Sequence, residues 1–263
     1  MIGTLSNRFI IVSLLLLTNT PVFAAHILEP IGLEIAATPP RGRMFGEIVY
    51  SSTKEQADHE EITGKSLGLE FEVGVGEQTQ LHFEAEVVIA EEQGHEPAEK
   101  GVEEIAFGVK HRFWDETPKN PDAAFLVEFA PEAGLEGNGS ELKTSLLLTK
   151  HFSPRFLVHT ETGYLHETER ESEAVGMPTE IRVHNAGFFI YKIAPVYQVI
   201  PDRLLLMATL MGKENLKGDQ NDVTLAPGVI FVMGNAALKL SLPFGLSEAA
   251  NDNGVAFAIS KLF

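Results

Sequence analysis

The sequence predicts an all-β fold: an antiparallel up-and-down transmembrane β-barrel of about twelve strands that follows a cleaved signal peptide. Three observations predict it. The chain opens with an export signal, continues as roughly ten-residue segments in which apolar and polar residues alternate, and ends on a phenylalanine. Alternation with a period of two indicates strands that present two different faces, one of them apolar.

The N-terminal segment MIGTLSNRFIIVSLLLLTNTPVFAA has the three parts of a secretory signal peptide. Arg8 supplies a positive charge, residues 9–17 form an apolar run, and small residues precede Ala25. We expect residues 1–25 to be removed, by cleavage after Ala24 or Ala25. A retained membrane anchor is the disfavoured alternative, because the apolar run is too short to span a bilayer well as a helix.

The exported chain divides into two parts. Residues 26–43 contain Pro39-Pro40 and show no clear period, so we expect a lead-in on the periplasmic side. Residues 44–263 carry the alternating segments and form the predicted barrel. No run of about 18 apolar residues follows the signal, which disfavours a helical membrane protein.

The overall composition excludes several classes of protein. The 263 residues include no cysteine, which removes disulfide scaffolds and thiol chemistry. The formal net charge is −17, and an acidic chain is a poor ligand for nucleic acid because phosphate neutralisation needs clustered lysine and arginine. We therefore expect no nucleic-acid partner.

The segment 79–90 shows the alternation most clearly. Its apolar face comprises Leu81, Phe83, Ala85, Val87 and Ile89, and its polar face Gln80, His82, Glu84 and Glu86. The same pattern predicts twelve strands, of which 180–199 alternates least well and is expected to carry a bulge near Pro195. The predicted strands are 44–52, 66–75, 79–90, 102–113, 122–134, 141–152, 155–166, 180–199, 203–213, 221–233, 236–246 and 253–263.

Connections between these strands tend to alternate between short and long. Tight turns are predicted at 76–78, 153–154, 200–202 and 234–235, and longer polar loops at 53–64, 91–101, 167–179, 214–220 and 247–252. Outer-membrane barrels have short periplasmic turns, longer outer loops and an even strand number. Both termini then fall on the periplasmic side. The segment 114–121 is an exception, because a short turn is expected at its place.

Strand length and aromatic placement favour a membrane barrel over a soluble one, whose apolar face points inward. Most predicted strands have about 10–12 residues, near the ~9–11 that cross a bilayer at a tilt, whereas strands of soluble proteins average about 5–6. Aromatic residues gather toward strand ends, where membrane barrels carry interfacial girdles. They are Phe45, Tyr50, Phe113, Trp114, Phe129, Phe152, Tyr164, Tyr197, Phe244 and Phe263. These features predict the outer membrane of a Gram-negative bacterium, with lipid and lipopolysaccharide around the barrel.

The final segment GVAFAISKLF resembles the C-terminal signal that the barrel-assembly machinery reads in outer-membrane proteins. Phe257, Ile259 and Phe263 lie on one row of this strand, and we expect that row to face lipid. Lys261 stands on the same row, where an aromatic residue is more usual. Near the chain end it would lie at headgroup depth, where a lysine extends toward water at a cost near ~0–1 kcal/mol.

Two motifs, GVKHRFWDE at 108–116 and YQVIPDRLLLMATL at 197–210, resemble a family of Gram-negative outer-membrane proteins identified as transporters of the meta-pathway of phenol degradation. The segment PPRGRMFGE, which begins at Pro39, also resembles the family's opening. His111 departs from the family pattern, which usually has an aromatic residue there. The resemblance implies an outer-membrane barrel that transports aromatic compounds, and it implies no catalytic residues.

Charged residues on the inward face of such a barrel tune the selectivity of its lumen. The early strands place acidic groups and a histidine inward, and basic groups follow later in the chain. The acidic side comprises Glu70, Glu72, His82, Glu84, Glu86, Glu104 and Glu128, and the basic side Lys143, Arg155, Lys192, Arg203 and Lys239. Across a closed barrel they either form salt bridges that plug the lumen or set up a transverse field along a narrow aqueous path.

These features predict a transporter or channel for small solutes, aromatic or hydrophobic compounds among them, with a charged lumen and no enzymatic activity. The sequence does not identify the solute. One alternative is a plugged barrel with a structural or adhesion role, since twelve strands lie between side-chain-filled eight-stranded barrels and open sixteen-stranded porins. A second alternative is a lipid hydrolase built into the barrel.

The strand face that carries His82, Glu84 and Glu86, beside Glu70 and Glu72, offers imidazole and carboxylate ligands that suit several divalent ions. A polar lumen needs such charges in any case. The chain has neither cysteine nor a tight histidine pair, so the sequence assigns no metal and no cofactor.

The hydrolase alternative depends on a serine, a histidine and an acid meeting in space. Ser145 and His151 share one strand face, and His159 and Glu161 share a face on the next strand. No Gly-x-Ser-x-Gly motif is present, so no catalytic residue is assigned.

Overall fold

The computed structural model describes residues 29–57, 60–93, 99–132, 139–173, 180–218, 221–247 and 249–263. The predicted signal peptide and its cleavage site lie outside these residues. Within the described residues there is no helix long and apolar enough to cross a membrane.

The described chain forms one antiparallel sheet that closes on itself. Its strands are β1 (Met44–Ala57), β2 (Glu60–Gly74), β3 (Thr79–Gln93), β4 (Glu99–Trp114), β5 (Asp122–Ala130), β6 (Glu141–Ser153), β7 (Phe156–Glu173), β8 (Glu180–Ile200), β9 (Leu204–Asn215), β10 (Asn221–Met233), β11 (Ala236–Ser241), β12 (Phe244–Gly245) and β13 (Asn253–Leu262).

Closure comes from β1 and β13, which pair from Phe45 with Leu262 to Lys54 with Asn253. The amide of Phe263 also donates to the carbonyl of Met44 at 2.7 Å. Both β11 and β12 pair with β10 and β13, so these two short pieces count as one stave. The thirteen strands therefore make a barrel of twelve staves, as the sequence predicted.

Several strands run further than the alternation predicted. The expected loop 53–64 is mostly strand, because β1 continues to Ala57 and β2 begins at Glu60. The expected loop 167–179 likewise contains the end of β7, which pairs with β8 out to Glu173 and Glu180. Beyond the bilayer both faces of a strand meet water, so the backbone ladder continues after the apolar alternation has stopped.

Proline accounts for the places where strands end early or break. The strand β5 ends at Ala130, before Pro131, rather than at the expected residue 134. Pro243 separates β11 from β12. Near Pro195 the register between β8 and β9 passes from Ile193 to Val196 without partners between them. Proline has no amide hydrogen to give the ladder, so the sheet is interrupted at each position.

The outward surface is apolar along the barrel and aromatic near its rims. We call the rim at the short connections the turn end and the opposite rim the loop end. Exposed aromatics near the turn end are Phe113, Trp114, Phe152, Tyr197 and Phe263, and those nearer the loop end are Tyr50, Phe129, Tyr164, Phe189 and Phe244. This arrangement matches the interfacial girdles of a membrane barrel. Phe45, expected in a girdle, points inward instead and is fully buried.

Residues 115–121 form the long connection at the turn end that the sequence marked as an exception. Glu116 organises it, because its carboxylate accepts from Lys150 Nζ at 3.0 Å and from the His151 amide at 2.9 Å. Partial burial raises the pKa of Glu116, but hydrogen bonds from His151 and Lys150 prevail and hold this pKa below its usual value. The hydrogen bonds of the Glu116 carboxylate therefore stabilise the turn at neutral pH, and they weaken as the pH falls through the lowered pKa of Glu116.

The inward face changes character along the barrel axis. Near the turn end, β1, β7–β11 and β13 contribute one apolar cluster to the interior. It consists of Phe45, Leu157, Val196, Leu205, Met207, Ile230, Val232, Ala237 and Leu262. Toward the loop end the inward side chains are mainly charged. The interior is thus packed at the turn end and polar above it.

Candidate functional site: the strap and the acidic lumen

Residues 29–38, which we call the strap, precede β1 and lie inside the barrel. Leu33, Ile35 and Ala36 are each at most 3% exposed. Leu33 and Ile35 pack on Ala194 of β8, whereas Ala36 packs on side chains of β5 and β6. The lead-in was expected to be periplasmic, and its position in the lumen was not foreseen.

The strap leaves the barrel at Pro39 and Pro40, where it passes over Gly74 at the end of β2. The amide of Gly42 donates to the carbonyl of Gly74 at 2.7 Å. A Cβ on Gly74 would lie 2.4 Å from the carbonyl oxygens of both Pro39 and Pro40. A glycine is therefore required for the strap to pass so close to the wall.

Replacing Gly74 with alanine should displace the strap and lower the free energy of unfolding by about 1–3 kcal/mol, as overpacking does. Gly68→Ala is the matched control, because a Cβ on Gly68 would meet Val49 Cβ at an ordinary 3.6 Å. Urea unfolding in lipid vesicles, followed by the fluorescence of the single tryptophan, Trp114, measures both variants. Equal stabilities for the two would contradict this account of the strap exit.

Charged groups hold the strap on one side of the lumen. Lys110 Nζ donates to Glu34 Oε2 of the strap at 2.8 Å and to Glu72 Oε1 of β2 at 2.9 Å. Gln80 also donates to Glu72. Lys110 and Glu72 are fully buried. A buried lysine shared by two carboxylates fixes its partners in place, because losing either would leave a charge in the interior without its partner.

His82 stands between two groups of carboxylates. Its Nδ1 lies 3.4 Å from Glu34 Oε1 and 3.9 Å from oxygens of Glu70 and Glu72. Its Nε2 lies 3.2 Å from Glu128 Oε2 and 3.7 Å from Glu84 Oε2. The imidazole thus joins the strap to β2, β3 and β5.

A second chain of charges ties the other side of the strap to the wall. Lys192 Nζ donates to the carbonyl of Gly32 at 2.8 Å and lies 3.2 Å from Glu161 Oε2. Lys143 Nζ lies between Glu161 and Glu128, at 3.5 and 3.6 Å. Gly32 has a φ of 71°, a left-handed conformation that glycine adopts readily and that allows the strap to turn here.

Above the strap the lumen opens into a cavity of about 350 Å³, which we call the vestibule. Among the described residues, its lining contains nine glutamates and two lysines, Lys143 and Lys192. Glu86, Glu104 and Glu141 lie on the loop-end parts of their strands. The described lining of the vestibule is therefore mainly acidic.

All seven residues expected on the acidic side belong to this region. Glu72, His82 and Glu128 are buried within the charge network. The vestibule lining includes Glu70, Glu84, Glu86, Glu104 and Glu128. They meet because β2 to β5 are consecutive neighbours in the sheet.

The basic side is only partly assembled. Lys143 and Lys192 lie in the network, and Lys239 is buried against Glu47 of β1, the strand beside β2. Arg155 and Arg203 were expected in the lumen, but both lie exposed in turns at the turn end. The strands that follow these turns begin one residue later than predicted, at Phe156 and Leu204, so neither arginine belongs to a strand face.

At least five charged residues of the site were missed: Glu29, Glu34, Glu47, Lys110 and Glu141. Glu29 and Glu34 lie in a segment without period two, which gave no signal for placing them in a barrel. Lys110 was not assigned to the lumen. The available signal was a lysine on the polar face of β4, beside the acidic polar face of β3.

The groups considered for hydrolysis do not assemble into a serine–histidine–acid arrangement. Ser145 Oγ donates directly to Glu161 Oε1 at 2.9 Å. His159 Nδ1 and Thr149 Oγ1 are hydrogen-bonded at 2.9 Å, and Thr149 also meets the amide of Ala36 in the strap. His151 pairs with Glu116 in the turn. The serine thus has an acid but no histidine beside it.

Comparison with known proteins supports the fold. No protein-family model and no curated protein matches the chain. An outer membrane channel from Pseudomonas putida F1 superposes with a TM-score of 0.66 at 10% identity, covering 89% of this chain and 99% of the channel. The translocator domain of the autotransporter NalP from Neisseria meningitidis gives 0.57 at 9% identity, covering 84% and 87% respectively. The NanC porin gives 0.52 at 10% identity, covering 83% and 98%. These likenesses show the fold alone: a closed antiparallel barrel of the Gram-negative outer membrane, of the kind that channels and porins share.

Proposed function

We propose that this protein is an outer-membrane channel for small solutes and that its acidic vestibule favours cations. The observation that carries the proposal is the vestibule lining, with nine glutamates against two lysines. A narrow, water-filled space with one sign of charge raises the local concentration of the opposite sign. The likeness of the barrel to solved channels and porins supports the same class of function.

The strap sets the condition for conduction. Together with the apolar cluster of β1, β7–β11 and β13, it fills the interior toward the turn end. Solutes that enter the vestibule from the loop end can cross only when the strap shifts. The same packing favours the second candidate, a plugged barrel with a structural or adhesion role. We propose no enzymatic activity for either candidate.

Single-channel recording in planar bilayers under a potassium chloride gradient tests the proposal. We expect conductance steps whose reversal potential shows preference for potassium over chloride. Glu86→Gln combined with Glu104→Gln should lower that preference by roughly twofold or more, because both side chains line the vestibule. Glu77→Gln is the matched control, since Glu77 lies exposed in the β2–β3 turn.

Three outcomes would contradict the cation channel. Absence of steps from pure, folded protein would favour the plugged barrel. An anion preference, or equal losses in the vestibule double variant and the turn control, would remove the vestibule from selectivity. The family that the sequence resembles implies aromatic solutes, so benzylammonium and uncharged benzyl alcohol serve as matched blockers. We expect the current to be reduced more by the cation.

The C-terminal row is proposed as the signal for the barrel-assembly machinery. Phe257, Ile259 and Phe263 all point outward, at 39, 43 and 50% exposure. Lys261 Nζ lies 4.8 Å from the centroid of the Phe263 ring, close to the chain end.

Deleting Phe263 should impair insertion, because the deletion removes the terminal aromatic and its backbone bond to Met44. Lys261→Tyr should insert at least as well as the natural chain. Outer-membrane fractionation and heat-modifiable gel mobility measure both. Normal insertion of the deletion variant would overturn the proposed signal.

A further inference from the structure

We propose that the lumen contains a divalent-cation site at which His82 meets the carboxylates of Glu34, Glu70 and Glu72. One ligand atom from each of these four residues lies within 4.8 Å of all the others. Glu34 belongs to the strap, Glu70 and Glu72 to β2, and His82 to β3. A cation at this position would fasten the strap to the barrel wall. Glu34 and Glu70 also line the vestibule, but zinc binding is measured directly, so the site can be tested whether or not the barrel conducts.

The first observation behind the site is a buried imidazole without hydrogen bonds. His82 is 3% exposed, and neither of its ring nitrogens has a hydrogen-bond partner. Glu70 Oε1 is also buried without a hydrogen bond. Buried polar atoms in folded proteins nearly always find partners, so those that do not require an explanation such as a bound ion. Two of these atoms, His82 Nδ1 and Glu70 Oε1, lie 3.9 Å apart.

The separations fit a metal site. Ligand atoms at about 2.1 Å from a tetrahedral ion lie about 3.4 Å from one another. His82 Nδ1 lies 3.4 Å from Glu34 Oε1 and 3.9 Å from oxygens of Glu70 and Glu72. These three separations are close to that spacing, so we infer that side-chain rotations bring all four ligands to one ion.

The other side of the imidazole supplies the orientation that metal-bound histidines need. A ligating histidine usually donates its second ring nitrogen to a carboxylate, which fixes the ring. His82 Nε2 lies 3.2 Å from Glu128 Oε2, and Lys143 holds Glu128 from the other side at 3.6 Å. We therefore assign the metal to Nδ1 and the orienting role to Glu128.

Charge balance points the same way. Glu34, Glu70 and Glu72 are three carboxylates, and among the described residues Lys110 contacts two of them, Glu34 and Glu72. A divalent cation would add positive charge among these groups, which lowers the cost of burying several carboxylates together.

The mixture of ligands indicates the class of cation. Imidazole with carboxylates suits zinc and related first-row ions, whereas calcium and magnesium prefer oxygen ligands alone. We therefore expect zinc to bind more tightly than calcium or magnesium.

Isothermal titration calorimetry of the detergent-solubilised, chelator-treated full-length barrel with zinc chloride tests the site. We expect one zinc ion per chain and a higher thermal unfolding midpoint with zinc present. Glu70→Gln, which keeps the size of the side chain, should weaken zinc binding about tenfold or more, and His82→Ala should abolish it. Glu86→Gln is the matched control, because Glu86 lines the vestibule outside this group of ligands. Heat-modifiable gel mobility checks that each variant is folded.

Three results would overturn the site. Absence of saturable zinc binding by the natural chain would mean that the imidazole itself serves as the cation among these carboxylates. Equal zinc affinity in the natural chain and in folded Glu70→Gln would assign binding to other glutamates. Calcium affinity equal to zinc affinity would exclude a role for the histidine nitrogen.

Discussion

Replacing Lys239 with methionine should lower the free energy of unfolding by about 3–5 kcal/mol, the largest effect we expect from one substitution. Lys239 is fully buried and pairs with Glu47, which is 4% exposed. Its Nζ also lies 5.6 Å from the centroid of the Phe45 ring. Without the ammonium group, the Glu47 carboxylate loses its ion-pair partner inside the barrel wall. The cost is therefore that of an uncompensated buried charge rather than that of one hydrogen bond.

The double variant Glu47→Gln/Lys239→Met distinguishes the cost of an unpaired buried charge from the loss of one hydrogen bond. It removes both charges, so most of the lost stability should return if charge imbalance is the cause. Urea unfolding in lipid vesicles, followed by Trp114 fluorescence, gives the free energy of unfolding of the single and double variants. If the free energy of unfolding of Lys239→Met lies within about 0.5 kcal/mol of that of the natural chain, water reaches Glu47.

Deleting residues 29–38 should raise the single-channel conductance several-fold. The strap occupies the lumen between the acidic wall and β8, with Glu34 held by Lys110 and Gly32 held by Lys192. Ala36 packs on β5 and β6, which the turn-end cluster does not include, and Leu33 and Ile35 pack on Ala194 of β8. Without the strap, water and ions gain a continuous path beside that cluster.

A replacement of the same ten positions by glycine and serine is the matched control for the deletion. It keeps the length of the lead-in but removes its side-chain contacts. We expect frequent, brief openings from this variant and steadily open channels from the deletion. Planar-bilayer recordings distinguish these patterns, and unchanged conductance in the deletion variant would show that the strap does not limit the path.

The wall of the barrel follows from local patterns. Alternation in segments such as 79–90 and 253–263 predicted which residues face outward, and the twelve staves followed from counting such segments. A strand has only two faces, so period two fixes the side of every residue once one side is known. Pattern alone overestimated β5 and β11, because Pro131 and Pro243 end the ladder while the alternation continues.

The lumen was only partly predictable, because alternation gives the direction of a side chain but not its partners. The inward direction of Glu70, Glu84 and Glu128 follows from the strand face, but their partners depend on what crosses the interior. Arg155 and Arg203 were misplaced because strand ends are set by turn geometry rather than by alternation. Phe45 was misassigned because an aromatic near a strand end can face either way.

The sequence by itself determined the strands, the lipid-facing surface and the acidic character of the interior, because each is a local consequence of side-chain alternation. Only the tertiary structure placed the strap in the lumen and joined Glu34 to Lys110 and His82. Those contacts link residues distant in the chain, and the strap has no periodicity of its own. Its position is decided by the charges and apolar surfaces that the closed barrel gathers around it.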